Sequence, residues 1–272
     1  MNASDRWTIL KTLEWTQGYF AEKGIDTPRL DAEIILAHVL NTQRVMLYAR
    51  FDQPLQATEL KTIKALVARR ARHEPIAHLV GRREFWSLDL CVGPDCLIPR
   101  PDSETIVEVA LKLNEGRQVQ SVVDVGTGSG CLALALAQEW PQATVFALEA
   151  SAEARAIAMQ NAEQTGLAER VQVISSDLLS NLPTAAQPVD VLVANLPYIP
   201  TADIETLMPD VRFFEPRIAL DGGDDGLTLY RRLIDALATV MAPGGIVVFE
   251  AGPDQVEALA ELLGKAGLTD VE

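Results

Sequence analysis

Ser121-Val122-Val123-Asp124-Val125-Gly126-Thr127-Gly128-Ser129-Gly130-Cys131-Leu132-Ala133-Leu134-Ala135-Leu136 decides the architecture. Ser121–Val125 is rich in valine, as a strand covered on both faces is. Glycine then falls at every second position, 126, 128 and 130, which permits a tight turn. Leu132 to Gln138 reads as a helix. Outward from this unit, Ala143 to Leu148 is a second strand, and Ala152 to Gln164 is a second helix stopping at Gly166. Val171 to Ile174, Val189 to Ala194 and Gly245 to Glu250 are three further strands. Such alternation specifies an α/β fold: a doubly wound, mostly parallel sheet of Rossmann-like type. No internal repeat or low-complexity segment interrupts it.

Upstream the pattern differs. Trp7, Leu10 and Leu13, then Leu30, Ile34 and Ala37, recur at helical spacing. Pro28 suits a first helical position, with Asp26 and Thr27 as candidate caps. A third amphipathic run covers Thr58 to Arg72. These pieces predict a small N-terminal helical bundle, residues 1–83. Phe85 to Pro101 is rich in β formers, and Gly93-Pro94-Asp95 marks a turn, so a β-hairpin linker is expected over 84–101. Asp102 or Ser103 is placed to cap a helix running to about Leu113. The Rossmann-like domain is expected over 102–272.

Composition excludes several classes. The 272 residues carry a net charge of −15 and are 48% hydrophobic, enough for a real core. No apolar run is long enough to span a bilayer. The opening Met1-Asn2-Ala3-Ser4-Asp5 lacks the pattern of a secretory leader, which makes the cytoplasm the expected compartment. Cys91, Cys96 and Cys131 form no disulfide framework, and His38, His73 and His78 stand at no metal-ligand spacing from them, so no metal site is expected. The acidic balance opposes broad attraction to nucleic acid. Arg69-Arg70-Ala71-Arg72 with Arg82-Arg83 is a local basic patch, read here as a solvated face.

Four places carry chemistry. Gly126-Thr127-Gly128-Ser129-Gly130 joins strand to helix, where backbone and ligand can approach closely and a helix N-terminus favours negative charge. Glu149 ends the next strand, 23 residues beyond Gly126, where an acid accepts hydrogen bonds from ribose hydroxyls. That pair alone also fits a nicotinamide dehydrogenase; the glycine spacing differs from GxGxxG and favours a methyltransferase. Asp177 and Leu178 follow the third strand, the acid suited to an adenine amino group and the leucine to its ring; a plain helix cap is the competing reading of Asp177. Asn195-Leu196-Pro197-Tyr198 follows the fourth strand and resembles the (D/N)PPY signature of methyltransferases acting on planar amino nitrogens. The lone pair of such a nitrogen is delocalised. Two acceptors, the Asn195 side-chain oxygen and the Leu196 carbonyl, can hold its hydrogens and stabilise charge developing on nitrogen. Tyr198 can stack on the flat group and offer its ring face to a methylsulfonium cation. No general base stands out, so the amide proton is expected to leave to water.

These residues, with Leu97-Ile98-Pro99-Arg100-Pro101-Asp102-Ser103-Glu104, Phe214-Glu215-Pro216-Arg217, Leu220-Asp221-Gly222-Gly223 and Tyr230, resemble the PrmC/HemK family of release factor glutamine N5-methyltransferases along nearly the whole chain. The resemblance implies a class I methyltransferase that uses S-adenosyl-L-methionine, yields S-adenosyl-L-homocysteine, and methylates the glutamine of the GGQ motif in peptide-chain release factors. It implies cofactor contacts from Gly126 to Gly130, Glu149, Asp177, Leu178 and Asn195, and a catalytic glutamine pocket of Asn195, Leu196, Pro197 and Tyr198. The N-terminal bundle is implied to recognise substrate; a monomer without direct nucleic-acid or membrane partners is expected. Glu215 and Arg217 are implied to shape the nearby loop, a structural ion pair being the alternative. Three departures stand out: Leu196 replaces a proline and loses its fixed φ, Glu149 replaces an aspartate, and the chain reaches Glu272 at an expected sixth strand, short of the family's final hairpin. The Leu196 form is also typical of enzymes methylating adenine N6, making a methyltransferase acting on RNA or DNA the alternative function. A catalytically silent binding module is disfavoured by the presence of Asn195.

Overall fold

The computed structural model describes residues 6–271, so the leader reading at Met1–Asp5 lies outside the described residues. The chain separates into two compact units.

The first runs to Gly81 and includes Pro209–Phe214. It holds helices α1 (Ile9–Glu22), α2 (Pro28–Val39), α3 (Arg44–Ala49), α4 (Ala57–Arg70) and α5 (Ile76–Val80). Pro28 takes the first position of α2 as expected, but Thr27 spends its hydroxyl on Asp31 rather than on a backbone cap. Phe20, Ile35, Leu36, Leu47 and Ile63 fill the centre, each contributing ~1.5–3 kcal/mol by burial. Part of the basic stretch is not a solvated face. Arg70 is buried and its guanidinium donates to Asp31 at 2.6 Å, while Arg69 pairs with Glu74. The spacing of arginines in sequence does not reveal that their charges are already matched within the unit.

The second unit contains β1 (Arg82–Phe85), β2 (Leu88–Cys91), α6 (Glu104–Leu113), β3 (Ser121–Val125), α7 (Cys131–Glu139), β4 (Thr144–Glu149), α8 (Ala152–Gln164), β5 (Val171–Ser175) and β6 (Val189–Ala194). The short helix α9 (Pro209–Phe214) belongs to the first unit; α10 (Thr228–Leu237), β7 (Met241–Phe249) and α11 (Val256–Lys265) complete the second. Strands β3 to β7 form one parallel sheet in the order β5-β4-β3-β6-β7. Alternate strand residues feed opposite faces. Val122, Val145 and Val191 pack with α6 and α7, whereas Val123, Phe146 and Leu192 pack with α10 and α11. Tyr230, Leu233, Ile234 and Leu237 give α10 its buried stripe at helical spacing.

The sheet order reverses between β3 and β6. The chain builds outward through β4 and β5, then returns to place β6 on the other side of β3. Ligands of open α/β sheets bind at the carboxyl ends of strands where this reversal occurs. Val125 and Ala194 are register partners there, so the glycine loop and Asn195 leave neighbouring strand ends.

Two local expectations are corrected. The hairpin is Arg82–Cys91 and turns at Trp86-Ser87, with φ of 50° and 60°, not at Gly93-Pro94-Asp95. Two consecutive positive φ values make the two-residue turn that matches strand twist, and tryptophan and serine rarely advertise it. Likewise Leu268 to Val271 forms no strand. Gly267 and Asp270 both have positive φ, which breaks the extended run, and β7 stands at the sheet edge.

Candidate active site

The glycine loop is organised from below by Asp124. This carboxylate is fully buried; Oδ2 accepts from Thr127 Oγ1 at 2.5 Å and from the Ala133 N–H at 3.1 Å, while Oδ1 has no partner. Burial pushes its pKa up to about 7, the Thr127 and Ala133 bonds oppose that rise, and the nearby charge of Glu149 adds to it. Thr127 and Ser129 are themselves buried, so their side chains serve the loop's interior. The main chain and Gly126 and Gly128 form its outer surface. Leu148 O receives the Gly126 and Thr127 N–H groups at 2.8 and 3.0 Å, tying the loop to the end of β4.

The glycines are needed for two reasons. All three have positive φ. A Cβ on Gly126 would also lie 2.9 Å from Leu196 Cδ2, whereas one on Gly128 would point into open space. Gly128 thus leaves its outer surface open. Glu149 stands beside it: Oε2 accepts from Gly128 N at 2.9 Å and Oε1 from Ser151 N at 2.9 Å. Each oxygen keeps a further lone pair. The extra methylene of glutamate relative to aspartate is taken up by this pairing back onto the loop.

Asp177 and Leu178 follow β5. Leu178 adopts φ 49° and its carbonyl accepts from Ser176 Oγ at 2.7 Å, while its side chain packs against the α10 face of the sheet. Asp177 is exposed and pairs with Arg232 at 2.7 Å. Its carboxylate is therefore engaged at the surface, and the structure brings it less directly to the loop than Glu149.

Asn195-Leu196-Pro197-Tyr198 sits at the end of β6, and residues far away in sequence hold it. Asn195 Nδ2 donates to Ser103 Oγ at 2.9 Å, and Ser103 Oγ donates to Glu250 Oε2 at 2.6 Å. Tyr198 OH donates to Glu250 Oε1 at 3.3 Å. Burial, then the Glu250 charge, raises the Tyr198 pKa above its ordinary value. The Leu196 N–H donates to Tyr230 OH at 3.1 Å, and Tyr230 OH donates to the Glu250 carbonyl. Gln255 Nε2 donates to Tyr198 O at 2.8 Å and Asp225 O at 3.0 Å. A Cβ on Gly222 would lie 2.6 Å from Pro197 O, and one on Gly226 would lie 2.1 Å from Tyr198 O. Gly222 and Gly226 are thus glycine because they press on the turn's backbone. Leu196 is 3% exposed; packing and the Tyr230 hydroxyl hold the backbone that a proline ring would otherwise restrict.

Glu215 accepts from Ile98 N at 3.3 Å and pairs with Arg100, so it binds the Leu97–Glu104 stretch. Arg217 pairs with Asp221 at 3.3 Å and with Glu205 at 3.7 Å. The structure therefore brings the glycine loop, Glu149 and the Asn195 turn to one end of the sheet. Sequence reading did not assign Ser103, Glu250 or Gln255 to the site. Ser103 reads as a helix cap and Glu250 as a strand end; nothing local says that Ser103 meets Asn195 or that Glu250 meets Ser103 and Tyr198. Among the described residues no cluster suits a metal ion, and no helix is long and apolar enough to cross a membrane. Burial pushes the thiols of Cys131 and Cys96 up to about 12 and 11, which makes both inert at neutral pH.

Known proteins resemble the chain along most of its length. The family described as PrmC N-terminal domain matches residues 11–81, and that described as Methyltransferase domain matches 122–212. A release factor glutamine methyltransferase of Geobacter sulfurreducens is 46% identical over 97% of this chain and 91% of its own. One from Caulobacter vibrioides is 38% identical over the same shares. Among solved structures, the hMettl16 catalytic domain, in complex with MAT2A 3'UTR hairpin 6, superposes with a TM-score of 0.54 at 16% identity, covering 79% of this chain and 75% of that one. That likeness concerns the fold.

Proposed function

The chain belongs to the release factor glutamine methyltransferase family, and from that premise we propose that Asn195-Leu196-Pro197-Tyr198 forms its glutamine pocket while Gly126 to Gly130 and Glu149 hold its methyl donor. The chain is an S-adenosylmethionine-dependent methyltransferase whose product is the N5-methylated glutamine of a release factor. The observation that carries the residue assignment is the adjacency of the two strand ends, with Val125 and Ala194 in register.

The loop residues fit the donor. The space at Gly128 is open and Glu149 presents a carboxylate beside it, which suits a ribose diol. Leu178 supplies apolar surface for the adenine, and Asp177 sits next to it at the rim. When bound, S-adenosylmethionine supplies an electrophilic methyl group on a sulfonium sulfur. The chain's own residues then do the positioning. Asn195 Oδ1 and the Leu196 carbonyl accept the two hydrogens of the glutamine amide, which aims its lone pair, perpendicular to the amide plane, toward the methyl group. These acceptors also stabilise positive charge building on the nitrogen. Tyr198 flattens the amide against its ring. Alignment of this kind contributes up to ~7–11 kcal/mol of barrier reduction. No side chain is assigned to remove the amide proton, which leaves to water.

The GGQ loop of the release factor is the segment that enters the pocket. Residues 1–83 serve as its recognition domain, 84–101 as the linker and 102–272 as the methyltransferase domain. The enzyme acts as a cytoplasmic monomer without a nucleic-acid or membrane partner. The test is methyl transfer from labelled S-adenosylmethionine to an unmodified release factor and, in parallel, to unmodified ribosomal RNA. Label on the release factor alone is expected; label on RNA adenine alone would replace this reading with the adenine one.

A further inference from the structure

Ser103 stands at the N-cap of α6, the position where serine normally accepts a backbone N–H. Its hydroxyl makes no such bond. It is instead 2% exposed, 2.6 Å from Glu250 Oε2 and 2.9 Å from Asn195 Nδ2. A capping serine whose hydroxyl is diverted from its cap has another use.

From this chain we infer that Glu250, acting through Ser103, fixes which end of the Asn195 amide faces the substrate. The direction of the hydrogen bonds decides the orientation. An ionised carboxylate only accepts, and a serine hydroxyl has one proton. At 2.6 Å Ser103 donates that proton to Glu250, as a short charge-assisted bond. Ser103 Oγ must therefore accept from its other neighbour. Asn195 must turn its NH2 toward Ser103, and Oδ1 is left as the acceptor end. Reversing Asn195 would require the serine proton to leave Glu250, stripping a donor from the carboxylate. Glu250 Oε1 takes the Tyr198 hydroxyl in the same sense, so one acceptor orients both polar groups of the turn. Its own place is held by main-chain bonds: Glu250 N donates to Ala194 O at 3.1 Å, and its carbonyl accepts from Tyr230.

This inference deepens the glutamine-pocket reading and rests on it for its catalytic consequence. Glu250 and Ser103 are positioning residues. Glu250→Gln keeps the shape but can donate as well as accept, so the direction of the chain is no longer imposed. Loss of an imposed charge-assisted bond lowers kcat on a release factor by about 10- to 100-fold, with the Kd for S-adenosylmethionine within about 3-fold, since the loop is untouched. Ser103→Ala gives a similar loss, Ser103→Thr recovers much of it because the hydroxyl returns, and the double variant is no worse than the worse single one.

A readout independent of turnover is the Asn195 side-chain amide signal in the full chain labelled with 15N-asparagine. Its two amide protons are expected to shift in both Glu250→Gln and Ser103→Ala. Should Glu250→Gln fail to fold, Ser103→Ala removes one atom and carries the same test. An unmoved Asn195 amide in a folded variant, or losses in kcat that multiply in the double variant, would overturn the inference. If the unaltered enzyme leaves release factors unmethylated, the glutamine reading fails, and the amide signal still decides whether Glu250 orients Asn195.

Discussion

The glycine loop and the Asn195 turn leave adjacent strands, yet they are built in opposite ways. The loop is supported by its sequence neighbours: Asp124 binds Thr127 three residues away and Ala133 nine away, and Glu149 reaches Gly128 across 21. The turn is supported from a distance. Ser103 lies 92 residues from Asn195, and Glu250 lies 147 from Ser103 and 52 from Tyr198. A donor that is the same for a whole class of enzymes can be held by a contiguous device. On the proposed assignment, an acceptor site whose polarity must suit one amide draws its supports from whichever elements reach it.

The largest effect expected of breaking the near-built region concerns Asp124. Its folded pKa of about 7 lies above the ordinary ~3.9 of an unfolded aspartate. The folded chain therefore holds that proton more tightly, and the associated stability is present below about pH 4 and lost as pH rises to about 7. Relative to Asp124→Asn, the unaltered chain should lose on the order of 4 kcal/mol between pH 4 and 8. Denaturant unfolding of both proteins across that range measures it, and a pH-independent difference would show that Asp124 is not held protonated. Asn195→Ala comes next and strikes the far-built region. Removing one preorganised acceptor should lower kcat by about 10²–10³, while calorimetry finds cofactor binding little changed. Near-normal turnover would remove Asn195 from its role.

Tyr230→Phe sharpens the contrast further. It leaves the Leu196 N–H and the Glu250 carbonyl without their shared hydroxyl. Each buried group so stranded costs ~1–3 kcal/mol, read as a lower melting temperature together with reduced turnover. Unchanged melting would mean that water replaces the hydroxyl. The smallest effect belongs to Arg232→Ala, which frees exposed Asp177; stability should change by less than about 1 kcal/mol, and a larger drop would reveal a structural role for the pair.

The same division explains what could be read from sequence. Ser121–Val125, Ala152–Gln164 and Val189–Ala194 fall where hydrophobic patterning puts them, because short strands and a capped helix carry their signals locally. The loop from Gly126 to Gly130 is legible for the same reason. Ser103 and Glu250 were not legible: a serine before a helix and a glutamate after a strand each have an ordinary local explanation. Their meeting depends on the sheet order, which places β7 beside β6. The hairpin turn at Trp86-Ser87 escaped because Gly93-Pro94 gave the stronger turn signal while the actual turn uses residues that seldom take positive φ. Arg70 escaped because its partner Asp31 lies 39 residues away on another helix.

The most direct test of the Asn195 pocket is tandem mass spectrometry of an unmodified release factor after incubation with the enzyme and S-adenosylmethionine. One added methyl group is expected on the side-chain amide nitrogen of the GGQ glutamine, absent when Asn195→Ala replaces the enzyme. A methyl group found on another residue, or on that glutamine at equal rate with Asn195→Ala, would contradict it.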